Sequence, residues 1–181
     1  SLSAAPPAMV SQQPSPLDGI LKQLLTFDAG LKSEAYWKLR EFVRSRKDDP
    51  VARGECETQL LAFLRSGATI PAKMAVCREL RFVASEKAVS ILRPYLTDPA
   101  LSDPARFVLE KIPGSAAEKA FLETIDRATG TMKTGIISSL GARKSAEAVP
   151  ALIKYLEGSA QEFVKAAAMA LGRIGGRDAA A

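Results

Sequence analysis

The chain has 181 residues, with 25 lysines and arginines, 20 aspartates and glutamates, and no histidine. Lacking an imidazole, it is excluded from Ser-His-Asp and Cys-His catalysis and from every metal or haem site that needs one. Apolar residues make up 47% and charged residues 25%, the balance of an ordinary globular domain. No apolar run approaches the roughly 18 residues of a membrane span, so none is expected. The net charge of +5 is evenly spread. Residues 1–90 carry 13 basic and 10 acidic side chains, and residues 91–181 carry 12 and 10. Phosphate binding favours a clustered basic stripe. A mildly basic surface is the simpler reading, and nucleic acid is disfavoured as a partner. Cys56 and Cys77 lack the spacing and the co-ligands of a zinc or iron–sulfur site. They read as two separate buried thiols, with a single disulfide as the alternative in an oxidising compartment.

Residues 1–16 hold four prolines and no charge, which describes an extended arm or linker rather than a packed element. Ser3, Ala4 and Ala5 look like the surroundings of a signal-peptidase site, and the arm leans towards an exported or periplasmic protein. Beyond it the periodicity is helical throughout, with no alternating strand pattern. Ten segments are expected, over 17–28, 33–47, 50–66, 71–84, 86–97, 103–112, 116–128, 131–142, 146–157 and 160–174. Asp49-Pro50 and Asp103-Pro104 place an N-cap acid before a proline at the first helical position. Ser115 with Glu118, and Ser159 with Glu162, have capping-box spacing, and Ser85 and Ser145 are placed to cap. Pro94 lies inside a segment and should kink or shorten it.

The chain also repeats itself. At an offset of 60 residues, Leu80, Ser85, Ala88, Val89, Leu92, Tyr95 and Leu96 fall on Leu140, Ser145, Ala148, Val149, Leu152, Tyr155 and Leu156. Leu80, Leu109, Leu140 and Leu171 follow one another at spacings of 29, 31 and 31. Each unit is two helices with apolar stripes at i, i+4 and i+7, such as Val76, Leu80 and Val83. A hairpin of this kind cannot bury both stripes alone, whereas stacked copies close them into a continuous core. Residues 17–70 read as a capping helix and a divergent first repeat. Residues 71–181 read as the later repeats, and the last is expected to be cut in mid-unit, so that the native protein continues.

The stretch from Val164 to Gly175 (VKAAAMALGRIG) resembles the first helix of a HEAT-like repeat of the type found in bilin lyases, and Leu140 to Leu156 (LGARKSAEAVPALIKYL) resembles the turn and second helix. The match is strong over 131–175, fair over 71–128 and weak before 70. It departs from the pattern where Leu80 and Leu109 are followed by Arg81 and Glu110 instead of glycine, and where Ser85 and Ser145 replace the usual Asp. The resemblance implies an all-α fold, a right-handed α-α superhelix of about four to five stacked antiparallel helix pairs. It also implies that first helices form the outer face and second helices the inner. On that basis Arg78, Arg81, Arg106, Lys111, Arg143, Lys144 and Arg173 make the outer face the more basic, while Lys87, Arg93, Glu123, Arg127 and Lys154 give a mixed inner face.

No catalytic constellation is visible, and no cofactor or metal ligand is assigned. Glu55 with Glu57 and Asp48 with Asp49 read as neighbours on solvated helix ends, whereas acid/base work needs two carboxylates facing one cleft. Gly172, Gly175 and Gly176 read as helix termination rather than a phosphate loop. Tyr95 and Tyr155, at equivalent repeat positions, read as packing residues. Residues 36–47 hold the single tryptophan and five basic residues. Trp37, Arg40 and Arg44 share a helical face there, and with Arg46 and Lys47 they form the candidate partner-binding surface. The expected function is a non-catalytic scaffold, a module of a larger, exported, bacterial-type protein. Its partner would be another protein or another domain of the same chain. A HEAT-like nucleic-acid-binding protein or DNA alkylbase glycosylase-like enzyme is the alternative, and a bilin-lyase-like module a further one.

Overall fold

The computed structural model describes residues 15–28 and 33–175. Among these the chain forms ten α-helices and no strand. The expected arm through residue 14 and the segment after Gly175 lie outside the described residues, so the incomplete last unit does too.

Helix α1 (Pro16–Leu24) starts inside the stretch read as linker. Ser15 closes a capping box with Asp18: its Oγ accepts from Leu17 N, and its own N–H donates to Asp18 Oδ2 at 2.8 Å. Helices α2 (Glu34–Arg46), α3 (Pro50–Leu64) and α4 (Ile70–Leu80) follow. Asp49 caps α3 as expected, its Oδ1 accepting from Val51 N and Ala52 N. Thr69 caps α4, and its hydroxyl donates to the Phe27 carbonyl at 2.6 Å, tying this turn to the end of α1.

Pro94 acts as its chemistry dictates. The expected helix over 86–97 is broken into a 3-10 turn, the single-turn helix α5 (Val89–Leu92) and a second 3-10 turn from Arg93 to Thr97. Helices α6 (Ser102–Leu109), α7 (Ala116–Thr124), α8 (Gly130–Ala142), α9 (Val149–Leu156) and α10 (Gln161–Ile174) complete the fold. In α9, where Lys154 replaces the internal proline, the helix runs unbroken.

Four capping expectations are corrected, the first being Ser145, whose side chain makes no cap bond to the 3-10 turn Ala146–Ala148 that it precedes. Helix α6 begins at Ser102, so Asp103 sits within its first turn and pairs with Arg106, while Asp98 accepts the N–H groups of Ala100 and Leu101. Ser115 makes no side-chain cap, because Glu118 accepts the Ser145 hydroxyl instead. Ser159 is displaced by Ala160 at the N-cap of α10.

Packing follows a fixed rule along the chain. Helix α2 packs on α4, α4 on α6, α6 on α8 and α8 on α10, while each also touches its neighbour in sequence. The four spaced leucines, Leu80, Leu109, Leu140 and Leu171, all lie in this core at 2% exposure or less. Burying a leucine contributes about 2 kcal/mol. Cys56 and Cys77 are separate, buried and free, as expected.

Polar side chains hold the junctions. Glu57 on α3, expected on a solvated helix end, is 3% exposed. It accepts the Ser85 N–H at 2.6 Å and the Ser85 hydroxyl at 2.8 Å. Glu118 on α7 accepts the hydroxyl of Ser145, the repeat equivalent of Ser85. Burial pushes the Glu118 carboxyl above its usual range, with Glu147 adding to the shift and Arg143 opposing it. The two tyrosines also play matching parts: Tyr95 donates to the Leu64 carbonyl at 2.7 Å and Tyr155 to Asp126 Oδ1 at 2.9 Å. Burial and the Asp126 bond push the Tyr155 hydroxyl up to about 12.

Candidate interaction face

The five residues proposed from sequence do not stay together. Trp37 on α2 is 57% exposed, with the Arg40 guanidinium 5.3 Å from its ring centroid. Arg44 shares their helical face but turns onto α4. Its Nε lies 3.3 Å from Glu79 Oε2, and its guanidinium stacks 4.7 Å from the Phe82 ring. Glu79 is 1% exposed and also accepts the Tyr36 hydroxyl at 3.3 Å. Arg44 is therefore the counter-ion of a buried carboxylate, and it belongs to packing rather than to a surface. Arg46 points elsewhere. It stacks on Phe42 and lines a small cleft with Ser15, Cys56 and Gln59, on the α1–α3 side. Lys47 ends the helix in solvent, 4.0 Å from Asp48.

The basic outer face expected from the repeats is likewise divided. Arg106 is 9% exposed; it binds Asp103 at 3.0 Å and Glu110 at 2.9 Å, and donates to the Ser139 hydroxyl of α8 at 3.0 Å. Arg143 donates to the carbonyls of Leu109, Glu110, Ile112 and Gly114, which lie at and beyond the end of α6. The last carbonyls of a helix have no partner within it, and an arginine fork from α8 satisfies these. Both arginines join α6 to α8. Arg93, in the second 3-10 turn, pairs with Glu123 on α7 at 2.6 Å.

Of the cations that remain, Lys111, Lys144 and Arg173 are exposed elsewhere, while Arg40, Arg78 and Arg81 lie together on α2 and at the end of α4. None of them pairs with a carboxylate among the described residues. Arg78 and Arg81 are exposed and held by rings: Arg78 lies 5.8 Å from the Tyr36 centroid and donates to its hydroxyl at 3.3 Å, and Arg81 lies 4.8 Å from the Phe82 centroid. Beside them a cleft of about 270 Å³ opens between α4 and α6. Met74, Cys77, Arg78 and Arg81 form its α4 wall, and Asp103 and Phe107 stand on α6. Met74 is 38% and Phe107 48% exposed. Two large apolar side chains therefore stand partly in water at this cleft.

Sequence reasoning found Trp37 and Arg40 but missed Met74 and Phe107. Both sit in helices read as packing elements. The only available signal was their position: Met74 follows Ile70 by one turn and Phe107 follows Arg106, off the buried Val76–Leu80 and Ala105–Leu109 stripes. Burial pushes the Cys77 thiol beside the cleft up to about 12, well above the usual thiol range. Among the described residues, no group of three or more Cys, Asp and Glu side chains is placed to hold a metal ion, and no helix is long and apolar enough to cross a membrane. No protein-family model matches the chain, and no curated protein matches it either.

Proposed function

We propose that this chain is a HEAT-like α-solenoid, a right-handed superhelix of antiparallel helix pairs, that serves as a non-catalytic protein-interaction module. Three features support the repeat reading. The helices pack in the order α2, α4, α6, α8, α10. Ser85 and Ser145 each meet a glutamate of the preceding unit's second helix. Tyr95 and Tyr155 each reach back towards the end of that same helix. Stacked hairpins of this kind present long surfaces on which exposed side chains select a partner.

One observation carries the functional reading. Buried carboxylates are committed to the chain's own donors, as with Glu57 and Glu79, while Arg40, Arg78 and Arg81 form no ion pair among the described residues and stand near exposed Trp37, Met74 and Phe107. Arginine and tryptophan are the residues that most often dominate protein interfaces. The glycosylase-like and bilin-lyase-like alternatives gain no comparable support from any cluster of residues.

Panning a random-peptide phage library on the full chain tests this reading. Enriched peptides should lose binding to an Arg40→Glu/Arg81→Glu variant that keeps its helical circular dichroism. Failure to enrich any peptide sensitive to that variant would overturn the assignment. A duplex oligonucleotide provides the competing arm. Micromolar binding that weakens steeply with added salt would favour the nucleic-acid alternative.

A further inference from the structure

We infer that the cleft between α4 and α6 receives an acidic peptide segment that inserts one large apolar side chain between Met74 and Phe107. The inference rests on the protein-interaction reading and specifies the partner's chemistry. At about 270 Å³ the cleft falls below the roughly 300–1,000 Å³ of small-molecule and cofactor sites. Its capacity suits a single side chain. Its surface is mainly apolar, and Met74 is unbranched and can reshape around an anchor.

Charge decides what surrounds the anchor. Two exposed arginines stand on the α4 wall, Arg78 and Arg81, with Arg40 on the adjoining α2. The cleft's one carboxylate, Asp103, is already bound by Arg106 Nη2 at 3.0 Å. The rim is therefore positive, and no counter-ion pairs with Arg78 or Arg81 among the described residues. Stacking against Tyr36 and Phe82 holds the guanidinium groups and leaves edge N–H donors for a carboxylate fork. A pre-ordered fork loses less side-chain entropy on binding than a free one would. A nucleic acid fits less well. The rim carries no extended row of cations to track a phosphate backbone, and a side-chain-sized apolar recess offers little to stacked bases.

The same phage selection, read for composition, tests the inference. Enriched peptides should carry Glu or Asp on both sides of a Leu, Met or Phe. A synthetic copy of the best peptide, labelled with fluorescein, should bind the full chain in an anisotropy titration. Arg78→Glu/Arg81→Glu should weaken it at least tenfold, and Phe107→Ser should weaken it by a similar factor. Lys165→Glu on α10, away from the cleft, should leave it unchanged. These side chains are exposed, so the variants should keep native circular dichroism and melting temperature. Enriched peptides without an acidic bias, or acidic peptides indifferent to the arginine reversal, would overturn the inference while leaving the interaction module standing. No enrichment on this face at all would remove both.

Discussion

At the scale of single residues, the buried carboxylates are the sharpest test of how the chain holds together. Glu79 is 1% exposed and accepts from Tyr36 and Arg44, so one acid joins α2 to α4. Removing one partner of a buried pair costs more than the pair contributes, because the other charge loses its counter-ion. Arg44 is 38% exposed and recovers some hydration. Glu79→Ala should therefore destabilise by about 2–3 kcal/mol, read as a lowered urea midpoint at unchanged slope. Glu118 makes a contribution that depends on pH. Its pKa is raised by burial, so its protonated form is the one the fold favours. Its contribution is fully present below the unfolded carboxyl pKa and is lost as pH rises through the higher folded value. Glu118→Gln should consequently lose less stability than the parent chain as pH rises through the carboxylate range, in urea melts at a series of pH values. Equal pH profiles would show that Glu118 is not the group responsible. The thiols make a simpler prediction. Burial holds Cys56 at about 11 and Cys77 at about 12, far above the usual thiol range. A disulfide reagent at neutral pH should label neither in the native protein and both in guanidinium. Prompt native labelling of either would contradict its placement in the core.

At the scale of elements, helix existence, the buried leucine stripe and most helix starts were legible from the sequence, whereas most of the proposed side-chain caps were not. The reason is visible at Ser115, Glu118 and Ser145. A serine or glutamate near a helix start has the same sequence signature whether it caps its own helix or reaches the neighbouring unit, and only the packing decides. Arg106 and Arg143 show the same ambiguity for charge. Both read as surface cations, yet each satisfies groups on an adjacent element. The candidate site was half legible for this reason. Trp37 and Arg40 stand out by composition, whereas Met74 and Phe107 acquire meaning only when α4 and α6 are laid side by side. Glycine gives a clean test of helix spacing. A Cβ at Gly141 would come within 2.6 Å of the Ala170 Cα, so α8 and α10 touch backbone to backbone there. Gly172, on α10 itself, has nothing within 4 Å. Alanine relieves glycine's helix penalty of about 1 kcal/mol only where there is room for it. Gly172→Ala should raise the melting temperature slightly, and Gly141→Ala should lower it by several degrees. Stabilisation by both would mean that α8 and α10 lie further apart than described.

At the scale of the whole molecule, the order of helix contacts predicts how stability is shared. Each even-numbered helix meets the even helices before and after it, and α10 meets only α8 and α9 among the principal contacts of the fold. A chain built this way has stability close to a sum of local terms, with each unit depending on its immediate neighbours. Deleting residues 158–181 removes α10 and uncovers the α8 surface around Gly141. The loss should be felt first in α8 and α9, then faintly in α6. It should not reach α2 or α4, whose junction is closed by Tyr36, Arg44 and Glu79. Hydrogen exchange read by mass spectrometry resolves this peptide by peptide. Amides of α8 and α9 should exchange much faster in the truncated chain, while those of α2 and α4 keep their protection. A single globular core would respond differently, because its helices open together and a lost edge lowers protection everywhere by the same free energy. Uniform loss across α2, α4 and α8 would therefore refute nearest-neighbour coupling, and with it the proposal that these helix pairs are stacked repeats.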